Sequence, residues 1–186
     1  PELAGARDRI RASSRVANPG CYVTAVTLAL APLLSAGLVL GDDIVVVAAS
    51  GTSGAGRAPR ASLLGSEVMG SMSAYKVGGR HQHTPEMEQA LSAAVGERVT
   101  MLFTTTLAPM PRGILATCTA RTAPGVAAGT LRDALHAAYD REPFVHVLAE
   151  GRIELLWYLR EQSISVDYHR YGNLGERSEE QRAEVL

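Results

Sequence analysis

The sequence lacks the features that commit a chain to nucleic acid, membrane or secretion. Its 186 residues hold 18 Lys and Arg against 19 Asp and Glu, a net charge of −1, so no basic surface stands ready to neutralise a phosphate backbone or anionic lipid. Neither partner is expected. Only two cysteines occur, Cys21 and Cys118, with no basic and apolar leader before them. That is no disulfide framework, and it suits a reducing, cytoplasmic setting. No apolar run approaches the roughly eighteen residues of a membrane-spanning helix. Also missing is a strand leading through Gly-x-Gly-x-x-Gly into a helix, the mark of a dinucleotide-binding unit. Opening at Pro1, the chain reads as a fragment with room for one sizeable core.

Residues 1–16 are polar and basic, with Arg7, Arg9, Arg11 and Arg15 giving no apolar stripe, and read as a linker. Asn18, Pro19 and Gly20 predict a turn, followed by a buried helix from Tyr22 to about Ser35 that kinks or ends near Pro32. The run DIVVVAA at 43–49 predicts a strand buried on both faces. A Gly-rich loop spans 51–60, a helical turn or two 63–69, and a further loop surrounds His81 and His83. Thr84, Pro85 and Glu86 resemble a helix start with Pro at the first helical position. Residues 98–106 and 113–121, joined by a PMPR turn, predict a pair of strands; 131–139 predicts an amphipathic helix and FVHVL at 144–148 another strand. The order argues for one mixed α/β domain with helices packed on a sheet.

Cys21 follows Asn-Pro-Gly at a helix start, where unpaired N–H groups favour a thiolate and hence a nucleophile; the alternative is a small core hydrophobe. Gly20 would let a substrate approach the thiol. Cys118, in an alternating strand with no base nearby, reads as core. His81 and His83 could serve as acid/base, hold a metal with Glu86 and Glu88, or lie on the surface. The loop GTSGAGRAP nearly matches a nucleotide-binding P-loop. It has Arg57 where Lys must reach the phosphates and Ala58 in place of the magnesium-binding hydroxyl. Ser53, Arg57 and free loop amides could still cradle one phosphate or carboxylate. Arg112 could clamp a carboxylate or be solvated.

NPGCYVTA (18–25), SGTSGAGR (50–57), AYKVGGRHQHTPEM (74–87), PMPRGILATCTA (109–120) and, more weakly, YDREPFVHVLAEG (139–151) together resemble the N-acetyl-gamma-glutamyl-phosphate reductase family of arginine biosynthesis, related to aspartate-semialdehyde dehydrogenase. The resemblance implies a glyceraldehyde-3-phosphate dehydrogenase-like C-terminal catalytic domain over 17–151 and a thioester mechanism. In it Cys21 attacks the acyl phosphate and NADPH then delivers hydride, releasing N-acetylglutamate semialdehyde. His83 is favoured as acid/base, with His81 second. It further implies substrate contacts from Ser50, Gly51, Ser53, Gly54, Arg57, Tyr75 and Arg112, and cofactor contacts from Asn18, Gly20, Ser53 and Gly54. No metal is implied, and the full-length enzyme would be a homo-oligomer whose main NADP(H) site lies in an N-terminal domain preceding residues 1–16. After Gly151 the pattern departs from the family, so 152–186, with Trp157, reads as a divergent tail from a frameshift or chimeric assembly. Two other readings compete: a cysteine-dependent hydrolase or acyltransferase, and an inactive remnant without cofactor binding.

Overall fold

A computed structural model describes residues 1–148. The tail at 152–186, Trp157 included, lies outside the described residues. The elements run α1 (Ala6–Ala12), α2 (Cys21–Ser35), β1 (Ile44–Ser50), α3 (Gly65–Val68), β2 (Ser73–Tyr75), α4 (His83–Val95), β3 (Met101–Leu107), β4 (Ile114–Thr119) and α5 (Ala128–Tyr139). The four strands form one mixed sheet in the order β2-β3-β1-β4. β1 is parallel to β3 and antiparallel to β4, while β2 is antiparallel to β3. The mixed α/β architecture expected from the element order is therefore present.

α2 and α4 pack on one face of this sheet. Tyr22, Val23, Val26 and Leu30 of α2 meet Met87 and Leu91 of α4 over Ile44, Val46, Ala48 and Phe103. Period-2 geometry sends the alternate residues of β1 to the other side. There Val45 is 36 % and Val47 49 % exposed, and Leu102, opposite Val45, is 59 % exposed. The expectation that β1 is buried on both faces is thus corrected, because among the described residues a helix layer covers only one. Strands 98–106 and 113–121 do form, but they are not partners. β1 lies between them, since a parallel β1–β3 pair captures the central position.

Pro32 neither ends nor breaks α2, which runs on to Ser35. A proline deprives the carbonyl four residues back of its donor, and that carbonyl is Leu28's. Tyr139 of α5 supplies the substitute, its hydroxyl donating to Leu28 O at 2.6 Å. Residues 144–148 make no strand; Val145 instead packs with Tyr139 and Leu28 in a second small cluster. The basic N-terminal segment contains the short helix α1, none of whose residues is buried, in keeping with its lack of an apolar stripe. Arg7 ties it to Glu142 through a two-pronged ion pair.

Candidate active site

Cys21 is the first residue of α2, exposed, and preceded by Gly20 in extended conformation. Two opposing influences act on its thiol. The N–H groups of Cys21 and Tyr22 lower its pKa, as a helix start should, but desolvation raises it more and Glu86 raises it further. The net direction is upward, so the thiolate expected from position alone does not prevail in the resting chain. Access and ionisation are separate here: the residue is open to reagents while its sulfur stays protonated at neutral pH.

His83 opens α4 two residues before Pro85, the first helical position that the Thr-Pro-Glu pattern predicts. The shift has a local cause: His81 caps the helix, its Nδ1 accepting from His83 N–H at 3.1 Å and its carbonyl from Thr84 N–H at 3.0 Å. Pro85 still falls within the first turn, where its missing donor costs no bond. The two histidines consequently differ. His81 is buried, edge-on to Tyr22, Tyr75 and Phe103. The His83 ring lies against the start of α2, so close that a Cβ on Gly20 would stand 2.4 Å from its Nε2. Gly20 therefore makes room for the imidazole, where the sequence suggested room for substrate. Burial lowers both histidines' pKa values; His83 and Lys76 add to the effect on His81, and on His83 Glu86 opposes it. Near neutral pH the thiol and the imidazole are both uncharged.

The other expected residues divide into two groups. Ser50 and Tyr75 belong to this centre: Tyr22 Oη and Tyr75 Oη are 2.7 Å apart, and Ser50 hydrogen-bonds Tyr22 from the end of β1. The Tyr75 carbonyl accepts from the buried Thr105 hydroxyl. The Gly-rich loop is different. Its amides at Gly51, Thr52 and Ser53 donate to the carbonyls of Gly113, Met110 and Pro111 at 2.9–3.1 Å, so they are not the free donors an anion cradle requires. Gly51 is needed because a Cβ there would lie 2.7 Å from the Arg112 backbone. Gly54 approaches the Ser50 hydroxyl, while Asn18, Ser53, Gly54, Arg57 and Arg112 are exposed. Cys118 is half-buried against the core and burial pushes its pKa to about 11, which suits packing and not attack.

Glu86 and Glu88, weighed as metal ligands, are engaged elsewhere, accepting from Gly20 N–H and Met101 N–H at 3.0 Å each. Among the described residues no group of three His, Cys, Asp or Glu could hold a metal, and no helix is long and apolar enough to cross a membrane. Sequence reasoning considered Glu86 only as a metal ligand and did not foresee its bond to Gly20 N–H, and it missed Tyr22, whose one signal was its place beside Cys21.

An exposed cysteine at a helix start, faced by a histidine on a second helix over one mixed sheet, defines a class. Residues 21–173 match the model of the semialdehyde dehydrogenase dimerisation domain, and the chain belongs to that family. Two crystallised relatives share its fold. The aspartate semialdehyde dehydrogenase II of Vibrio cholerae superposes with TM-score 0.55 at 16 % identity over 70 % of this chain and 45 % of that one. A probable aspartate-semialdehyde dehydrogenase from Pseudomonas aeruginosa gives 0.54 at 20 % identity over 78 % of this chain and 49 % of that one.

Closer in sequence are N-acetyl-gamma-glutamyl-phosphate reductases. That of Acidothermus cellulolyticus is 68 % identical over 148 residues, 80 % of this chain and 43 % of the relative. That of Streptomyces coelicolor is 62 % identical over 152 residues, 82 % and 44 % respectively. The chain thus spans less than half the length of the curated relatives it matches.

Proposed function

We propose that this chain is the catalytic and dimerisation part, residues 17–151, of a cytoplasmic N-acetyl-gamma-glutamyl-phosphate reductase. The observation that carries this reading is the approach of the His83 imidazole to Gly20, immediately before an exposed Cys21, in a chain 68 % identical to a reductase of that name.

The chemistry follows from the resting charges. With thiol and imidazole both neutral, His83 takes the sulfur's proton as Sγ attacks the acyl carbon. A C–S bond forms, the bond from carbon to the phosphate oxygen breaks, and inorganic phosphate leaves, taking one proton from solvent while His83 keeps the sulfur's. Reduced nicotinamide, when bound, supplies the hydride that converts the thioester to the oxidation level of the aldehyde. In that reduction the His83 proton would go to the carbonyl oxygen. It returns to the imidazole when the C–S bond breaks and the semialdehyde departs, and passes from there to Sγ. His81 holds the start of α4 and keeps the His83 ring in place.

The cofactor is NADP(H), and the fit is partial. Cys21, Asn18, Ser53 and Gly54 are exposed, and these residues would hold its nicotinamide end. No phosphate cradle accompanies it, because the amides at 51–53 are occupied. The pyrophosphate and adenosine therefore fall to a domain ahead of residues 1–16, where the family pattern puts it. The substrate's charged groups fall to Arg57 and Arg112, whose exposed side chains border the loop. Association of like chains is supported by the uncovered sheet face of Val45, Val47 and Leu102 and by the family's description as a dimerisation domain.

Joining the chain to a nucleotide-binding domain and following NADPH oxidation with N-acetyl-gamma-glutamyl phosphate tests the proposal. Turnover must require Cys21 and nicotinamide together. Phosphate release that proceeds equally well without nicotinamide would point to the hydrolase or acyltransferase reading.

A further inference from the structure

The start of α2 is held by a carboxylate reaching across from α4. Gly20 N–H, one of the donors that precede a helix without an intrahelical partner, donates to Glu86 Oε1 at 3.0 Å. Glu86 stands three residues after His83, on the same face of α4. One helix face therefore grips one residue twice. The imidazole abuts the Gly20 Cα, where no Cβ would fit, and the carboxylate binds the Gly20 N–H. Cys21 is the next residue along.

We propose that Glu86 is a positioning residue of this site: through Gly20 N–H its carboxylate locks the start of α2 to α4 and holds Cys21 in register with the His83 imidazole. The proposal rests on the reading of Cys21 as nucleophile and His83 as its base. The carboxylate also acts through its charge, raising the pKa of both Cys21 and His83. The other groups acting on His83 are Lys76 beyond β2, the His81 ring and Tyr22; besides Glu86, Cys21 is faced by Tyr22 and the backbone N–H groups. Among the described residues, Glu86 is the one carboxylate acting on both Cys21 and His83.

Two substitutions separate geometry from charge. Glu86→Gln keeps an oxygen acceptor for Gly20 N–H and removes the charge; Glu86→Ala removes both. In the enzyme joined to its nucleotide-binding domain, Glu86→Ala should lower kcat by about a hundredfold, as displacements near 1 Å do, with KM within about twofold. Glu86→Gln should keep most of the rate. In the 186-residue chain it should shift two midpoints downward: that of Cys21 alkylation by iodoacetamide, located by peptide mass spectrometry, and that of the His83 ring followed by NMR. A carboxylate with a merely structural role would leave both midpoints where they are. Wild-type kcat in Glu86→Ala, or unmoved midpoints in Glu86→Gln with Cys21 still reactive, overturns this proposal alone. A wild-type Cys21 that reacts no faster than Cys118 overturns the nucleophile reading and this proposal with it.

Discussion

Replacing Gly20 by alanine adds one methyl group at the closest approach in the site. The new Cβ would lie 2.4 Å from His83 Nε2 and 2.6 Å from Cδ2 and Cε1. Ordinary contact begins at 3.4 Å, so the imidazole must retreat by about 1 Å, the difference between 3.4 and 2.4. Its freedom to do so is small. The His81 ring is centred 4.8 Å away and the Tyr22 ring 6.0 Å away, and α4 is tied to Gly20 itself through Glu86. Backbone strain plays no part, because Gly20 sits at φ −62°, ψ 152°, which alanine adopts freely. A misplacement near 1 Å costs about a hundredfold in rate, and overpacking costs about 1–3 kcal/mol in stability. Gly20→Ala should therefore lower kcat roughly a hundredfold and the melting temperature by several degrees, read by NADPH oxidation and thermal denaturation. Gly65→Ala, where a Cβ meets nothing within 4 Å, serves as the control. A Gly20→Ala enzyme within about twofold of wild-type kcat would refute the claim that His83 must occupy that space.

Further outcomes follow from other contacts. Cys21→Ala should abolish turnover in the full-length enzyme, whereas Cys118→Ala, which removes a half-buried sulfur from the core, should cost about 1–2 kcal/mol in a denaturant titration and leave kcat intact; the opposite pattern would exchange their roles. His81 and His83 titrate below their ordinary value when folded, so the unfolded chain takes up protons first as pH falls. Stability present above about pH 6.5 should decline as pH falls through the folded values, and His81→Gln should flatten that decline in denaturation midpoints measured from pH 8 to 5. Tyr139→Phe leaves the Leu28 carbonyl without the donor that Pro32 cannot give. It should cost about 1–3 kcal/mol, most of it recovered in the Pro32→Ala background. Leu102→Asp, on the uncovered sheet face, should shift sedimentation toward monomer without altering the circular dichroism of the folded chain.

What the sequence made legible is what depends on neighbours along the chain. The helix after Asn-Pro-Gly, the β-branched run of β1 and the amphipathic α5 each follow from local pattern, and each is present. Contacts made at a distance were not legible. Nothing near Pro32 announces that a tyrosine 107 positions later, counting from 32 to 139, will donate to Leu28 and let α2 continue. Likewise, the adjacency of 98–106 and 113–121 suggested a hairpin. A strand formed 57 positions earlier, counting from Ile44 to Met101, could not be seen to come between them. The Gly-rich loop misled for the same reason: backbone amides look alike in a sequence whether they await an anion or, as here, donate to the carbonyls of the 110–113 turn.

The candidate site combines both kinds of information: the place of Cys21 at a helix start was legible, while the charge state of its thiol was not. A helix start predicts a lowered thiol pKa, and its N–H groups do pull in that direction. The outcome is decided by desolvation and by Glu86, which arrives from 65 residues away, counting from 21 to 86. A thiol held neutral beside a neutral imidazole has a chemical consequence. On the proposed mechanism, the ion pair need exist only while a substrate carbonyl is present to accept the sulfur, which keeps the exposed cysteine from idle reaction with oxidants and stray electrophiles. On that mechanism the Glu86 carboxylate, which binds Gly20 N–H and raises the pKa of the thiol, also helps to hold Cys21 in reserve.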